Sequence, residues 1–158
     1  MKAIQVKQPG GPDVLELVDV PVPESKANEA VVKLAASGVN FIDVYQREGR
    51  YKVPLPFVLG QEGAGVVTAV GSNVTSVKAG DRVAWTGPLG GYAEYAAVSA
   101  DRLVAIPAGV TDQQAAAAML QGMTAHYLTH STYPLKEGDT ALVHAAAGGA
   151  GRLIVQMA

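Results

Sequence analysis

Ala146-x-Gly148-x-x-Gly151 is an A-x-G-x-x-G run, a variant of the glycine fingerprint that receives a dinucleotide. Gly148 would let backbone approach a pyrophosphate, and Gly151 would let the following helix pack closely on the preceding segment. Gly149 and Ala150 lie between them, where unpaired amides at a helix start supply donors and partial positive charge for phosphates. The same run also reads as a small-residue turn packed tightly for steric reasons alone. His126 and His130, spaced i, i+4, share a helix face and form a second pair of candidate ligands. No H-E-x-x-H pattern or nearby acid supports a metal there, so they read as helix-face residues. With no cysteine in the chain, thiolate zinc sites, disulfides and a cysteine nucleophile are all excluded.

These residues need elements to position them. Thr140–His144 is a short apolar run predicted as a strand, leading directly into the glycine run and then a helix over Arg152–Ala158. Upstream, Thr111 and Gln114 form a capping box, followed by a segment rich in strong helix formers that Pro134 and Gly138 close. Before residue 108 the chain reads as short strands between turns. They are Ala3–Val6, Val14–Val20, Glu29–Leu34, Gly65–Val70, Asp81–Trp85, Gly91–Val98 and Leu103–Ile106. Asn40–Glu48 has helical character closed by Gly49, and Tyr51–Leu59, with Pro54 and Pro56, is predicted as an extended loop. Closely spaced strands of this kind predict a small barrel or sandwich, with Trp85 filling it.

A length of 158 residues is enough for a sizeable core, and 49% hydrophobic residues mark a globular chain. A net charge of -2 gives no basic footprint for nucleic acid or anionic membrane. No apolar run approaches the ~20 residues of a bilayer span, and the start lacks a signal peptide's apolar core. A cytoplasmic protein is the expectation.

An ordered set of motifs carries a resemblance. It comprises Gly38-Val39-Asn40-Phe41-Ile42-Asp43-Val44-Tyr45, Arg47-x-Gly49-x-Tyr51, and Leu59-Gly60-Gln61-Glu62-Gly63-Ala64-Gly65. Val70-Gly71, Gly80-Asp81-Arg82-Val83, Gln121-Gly122-Met123-Thr124-Ala125 and Val143–Gly151 continue it. In these the chain resembles the zinc-independent quinone oxidoreductases of the medium-chain dehydrogenase/reductase superfamily, the family of zeta-crystallin. The resemblance implies a GroES-like β-barrel catalytic domain over 1–112, a connecting helix and turn over 113–138, and the first βα unit of a Rossmann domain over 139–158. It also implies NADPH as cofactor, a quinone or enone as substrate, and a homodimer. Members run to about twice this length, and the residue reading the ribose 2′ position lies ~20 residues past the glycines. The chain is therefore expected to be truncated within the Rossmann domain, and inactive alone.

Zinc-dependent relatives place a Cys at the position matching Asn40 and a His at that matching Gln61. Neither an Asn nor a Gln amide replaces thiolate and imidazole, and Glu62 alone cannot hold the metal. The chemistry left is hydride delivery from reduced nicotinamide to an acceptor that is already electrophilic, with the protein supplying orientation and a dry pocket. By resemblance, Asn40, Asp43, Tyr45 and Tyr51 lie at the nicotinamide and substrate cleft, and Thr124 lies near the nicotinamide. An amide can hydrogen-bond a carbonyl, and a Tyr can stack on a flat ring. Each also has a purely structural reading. Asn40 can cap a helix, Asp43 can favour the positive helix end, Tyr51 can plug a loop, and Thr124 can pack within its helix. Glu62 is expected to be held by a backbone or Arg partner, and His144 to pack. Two alternatives stand beside the quinone reductase: a zinc-free enoyl reductase of the same superfamily, and a GroES-like module without turnover.

Overall fold

The computed structural model describes residues 1–158, which gather into two units, Met1–Ala117 and Ala118–Ala158. The elements in chain order are β1 (Lys2–Val6), β2 (Leu15–Asp19), β3 (Glu29–Ser37), α1 (Phe41–Arg47), β4 (Phe57–Val58) and β5 (Glu62–Val70). β6 (Arg82–Thr86), β7 (Tyr95–Ser99), β8 (Val104–Ala105), α2 (Asp112–Tyr127) and α3 (Gly149–Met157) follow.

In the first unit all strand pairs are antiparallel, in a three-stranded sheet of order β2-β1-β4 and a five-stranded sheet of order β7-β3-β5-β6-β8. This is the GroES-like architecture expected from the motifs. The long central strands β3 and β5 carry register shifts at Val31/Val32 and Leu34/Ala36, and such bulges bend a sheet and strengthen its twist. The inward residues Ala30, Val32, Val67, Val83, Ala96 and Val98 close around Trp85, which is fully buried as the sequence suggested. A smaller apolar cluster of Val6, Phe57 and Leu59 joins β1 to the segment before β5. That segment is not wholly a loop. Phe57 and Val58 pair with Val6 and Gln5, a long-range ladder that the flanking prolines hide from local reading. The strand expected over Gly91–Val98 begins only at Tyr95, with Ala93 making a single bridge to Ala3.

α2 begins as the capping box predicts. The Gln114 N–H donates to Thr111 Oγ1 at 3.2 Å, and the Thr111 N–H donates to Gln114 Oε1 at 2.9 Å. In the second unit α2 passes into a π turn over Leu128–Thr132, where the buried Thr129 hydroxyl donates to the Ala125 carbonyl at 2.9 Å. α3 starts within the glycine run, three residues before the predicted Arg152. The strand predicted over Thr140–His144 does not form, and Leu142 is 86% exposed. A parallel strand needs a laddered neighbour, and none of the 158 residues pairs with this one. No helix is long and apolar enough to cross a membrane.

Candidate functional site

The first unit builds its site at the junction of β3 and α1. β3 ends at Ser37, and Asn40, in extended conformation, caps α1. Asp43 reaches back to accept from the Asn40 N–H at 2.9 Å, the acidic arm of a capping box. The Asn40 side chain turns inward, where its Nδ2 donates to Glu62 Oε1 at 3.0 Å. Glu62 opens β5 and is fully buried. Gly38 makes room for it, because a Cβ there would stand 1.8 Å from Glu62 Oε1 and 2.9 Å from the Ala116 carbonyl oxygen. On the far side, Tyr92 donates its hydroxyl to Asp43 Oδ2 at 2.6 Å. Burial first, and then that hydrogen bond, hold the Tyr92 phenol well above its ordinary range, so it stays a donor. The result is a chain of contacts, Tyr92 to Asp43 to Asn40 to Glu62, with Asn40, Asp43 and Glu62 all buried.

Two members were not legible in the sequence. The Glu62 carboxylate accepts from the Asn40 side chain, a partner that the spacing of the two residues does not indicate. Tyr92 lies 49 residues beyond Asp43, and nothing local marks it. Only the return of the chain beside β1, where the Ile4 N–H donates to the Tyr92 carbonyl at 2.8 Å, brings it in. Asp43 Oδ1 and Gln46 Oε1, on successive turns of α1, are buried without hydrogen-bond partners.

Tyr45 and Tyr51 do come together. Their rings meet edge to face at 5.7 Å, and Phe41 adds a second edge contact to Tyr45 at 5.5 Å. Phe41 and Tyr51 are exposed, so aromatic rings of this cluster stand open to solvent.

The second unit holds the glycine run. Ala145 takes φ of +50°, and the Gly148 N–H donates to the Ala145 carbonyl at 2.8 Å, closing a tight turn into α3. A Cβ on Gly151 would stand 2.2 Å from the Ala145 oxygen, so only glycine lets the helix start lie against the turn. At Gly148, the cap of α3, a Cβ would meet only the Ala145 oxygen, at 3.2 Å. That opening, backed by the unpaired first amides of a helix, fits a pyrophosphate. Ala146 and Gly149 line the same exposed turn, and Ala150 follows in the first turn of α3. Thr124 Oγ1 donates to the Leu120 carbonyl at 2.7 Å, which leaves its oxygen as an acceptor. The His126 and His130 rings stack in parallel at 4.3 Å, and His130 Nδ1 lies 2.8 Å from Thr129 Oγ1. His144 is exposed and does not pack as expected.

A zinc ion does not fit the first unit's donors. Asn40 and Gln61 offer only side-chain amides where zinc takes thiolate and imidazole, and the Asn40 amide is bonded to Glu62. No group of three or more His, Cys, Asp or Glu side chains is placed to hold a metal.

Residues 26–108 match the family model described as the alcohol dehydrogenase GroES-like domain. A quinone oxidoreductase of Pseudomonas aeruginosa is 51% identical over 99% of this chain and 49% of its own. Among solved structures, the quinone oxidoreductase of Pseudomonas syringae pv. Tomato superposes with a TM-score of 0.96 at 50% identity, over 99% of this chain and 49% of that one. The Escherichia coli quinone oxidoreductase, solved in complex with NADPH, superposes at 0.97 with 42% identity and the same coverage. The chain spans about half the length of the curated relatives it matches.

Proposed function

The chain belongs to the alcohol dehydrogenase GroES-like domain family, and from that premise we propose that it serves an NADPH-dependent, zinc-free reduction of quinones or related conjugated carbonyls. The observation that carries this reading is the Asn40–Glu62 bond. It seals with an amide and a carboxylate the place where a metal-dependent relative would need a thiolate ligand. Without a Lewis acid an alcohol's oxygen has no anchor, whereas a quinone accepts a hydride unaided because its product anion is delocalised. The likeness to quinone oxidoreductases at 40–51% identity supports the same choice.

The group such a protein would use, NADPH, supplies a hydride when bound. The amides of Gly149, Ala150 and Gly151 would hold its pyrophosphate at the start of α3, over the space that Gly148 leaves open and beside Ala146, while Thr124, by resemblance, would lie toward the nicotinamide. Tyr45 and Tyr51 present edge-to-face rings against which an acceptor ring would lie. Asn40 caps the helix that carries Tyr45, oriented by Glu62 through its side chain and by Asp43 through its backbone. Asp43 is thus a positioning residue, its Oδ2 accepting from both the Asn40 N–H and the Tyr92 hydroxyl.

The test is NADPH titration followed by energy transfer from Trp85, the sole Trp. Saturable quenching is expected, together with quinone-dependent oxidation of NADPH by the whole protein that carries this sequence. Gly148→Val should abolish the quenching while leaving the Trp85 emission of the free protein unchanged, because a branched side chain fills the opening over the turn. Equal NADPH affinity in the variant would sink the assignment of the glycine run.

A further inference from the structure

Resting on the acceptor reading above, we propose that Arg50 tunes this site toward flat conjugated carbonyls bearing an anionic substituent, such as a ring sulfonate or carboxylate. The guanidinium carbon of Arg50 lies 5.4 Å from the centroid of the Tyr45 ring, on the aromatic cluster that Tyr51 and Phe41 complete. The placement is anchored through the backbone. The N–H groups of Arg50 and Tyr51 both donate to the Tyr45 carbonyl, at 2.9 and 3.2 Å. The guanidinium is therefore tied to the same turn as the two tyrosines.

Its donors are only partly committed. Arg50 Nε pairs with Glu48 Oε2 at 2.9 Å, and the side chain is 67% exposed, so the paired Nη groups face solvent at the rim of the cluster. Glu48 does not neutralise it, because its other oxygen already pairs with Arg47 Nη2 at 3.3 Å. One carboxylate shared by two guanidiniums leaves a net positive charge here, in a chain whose overall charge is -2. Lys52, two residues on and exposed, adds to it. A neutral quinone offers a rim guanidinium only a carbonyl acceptor. A sulfonate or carboxylate on that ring gains charge-assisted hydrogen bonds from the planar fork while the ring occupies the aromatic face.

The probes are a neutral naphthoquinone and the same ring carrying a sulfonate, with binding measured by equilibrium dialysis at low salt. The absence of cysteine removes thiol adducts, the usual artefact with such rings. The wild-type protein should bind the sulfonate about three- to five-fold more tightly than the neutral ring, the scale of an exposed charge pair. Arg50→Gln should bring the two close to parity, and Arg50→Glu should reverse the order, the sulfonate's affinity moving more than the neutral ring's. High salt should erase the wild-type preference. No sulfonate preference in the wild type, or one that survives Arg50→Gln, overturns the proposal while leaving the acceptor site standing. Loss of NADPH affinity in Arg50→Gln also overturns it, since that assigns the residue to the cofactor. Failure of both rings to bind the wild type refutes the acceptor reading itself, and this proposal with it.

Discussion

Replacing Tyr92 with Phe removes one hydroxyl and leaves the ring in place. The lost contact is the 2.6 Å hydrogen bond to Asp43 Oδ2, on a carboxylate whose other oxygen is already buried without a partner. Hydrogen bonds to charged groups contribute roughly 1.5–3 kcal/mol, and the partial exposure of Tyr92 places this one at the low end, about 1.5 kcal/mol near pH 8. The sign with pH follows from the raised phenol pKa. The folded protein keeps its proton after the unfolded chain has lost it. The contribution is therefore complete below the ordinary phenol value near 10 and declines above it. Ionisation of the unfolded chain sets a ceiling of about 1.4 kcal/mol lost by about pH 11, and solvent screening at this partly exposed ring brings the expected loss to about 1 kcal/mol. The Phe variant has no such term. The stability gap between wild type and variant should thus shrink from about 1.5 to about 0.5 kcal/mol over that range. Urea unfolding followed by Trp85 emission reads it, since that ring is fully buried in the same unit. A gap of the same size at both pH values would refute the claim that the fold holds Tyr92 protonated against Asp43.

Two more outcomes follow from the same network. Gly38→Ala should destabilise the first unit by about 1–3 kcal/mol or more, because the new methyl group meets both Glu62 and the Ala116 carbonyl. Thermal unfolding with an unchanged midpoint would mean the Glu62 carboxylate does not lie against Gly38. Incubation with excess zinc, then desalting and metal analysis, should return no stoichiometric zinc. One zinc per chain would contradict the reading of Asn40 and Gln61.

What could be read from the sequence was what local chemistry determines. The Thr111–Gln114 box, the Asn40 cap and the glycine turn before α3 each depend on residues within a few positions of one another, and Trp85 as core follows from its size and apolarity. What could not be read was set by chain return. Tyr92 reaches Asp43, Glu62 reaches Asn40, and Phe57–Val58 ladder onto β1 only because the sheets fold those segments together. The missing Thr140–Val143 ladder belongs to the same class. Its apolar run states a preference for extended backbone, but a strand is a pair and the preference supplies only one side. The candidate site divides along the same line. The glycine run was legible because a helix start creates its own donors. The Asn40 amide was legible as a group but not as a role, since its direction depends on a carboxylate 22 residues away. Because Glu62 takes one N–H of that amide, the direction of the Asn40 side chain is set from within the fold. On the proposed reading, acceptor recognition falls also to the half-buried Tyr45 ring, the exposed Tyr51 ring and the Arg50 cation beside them.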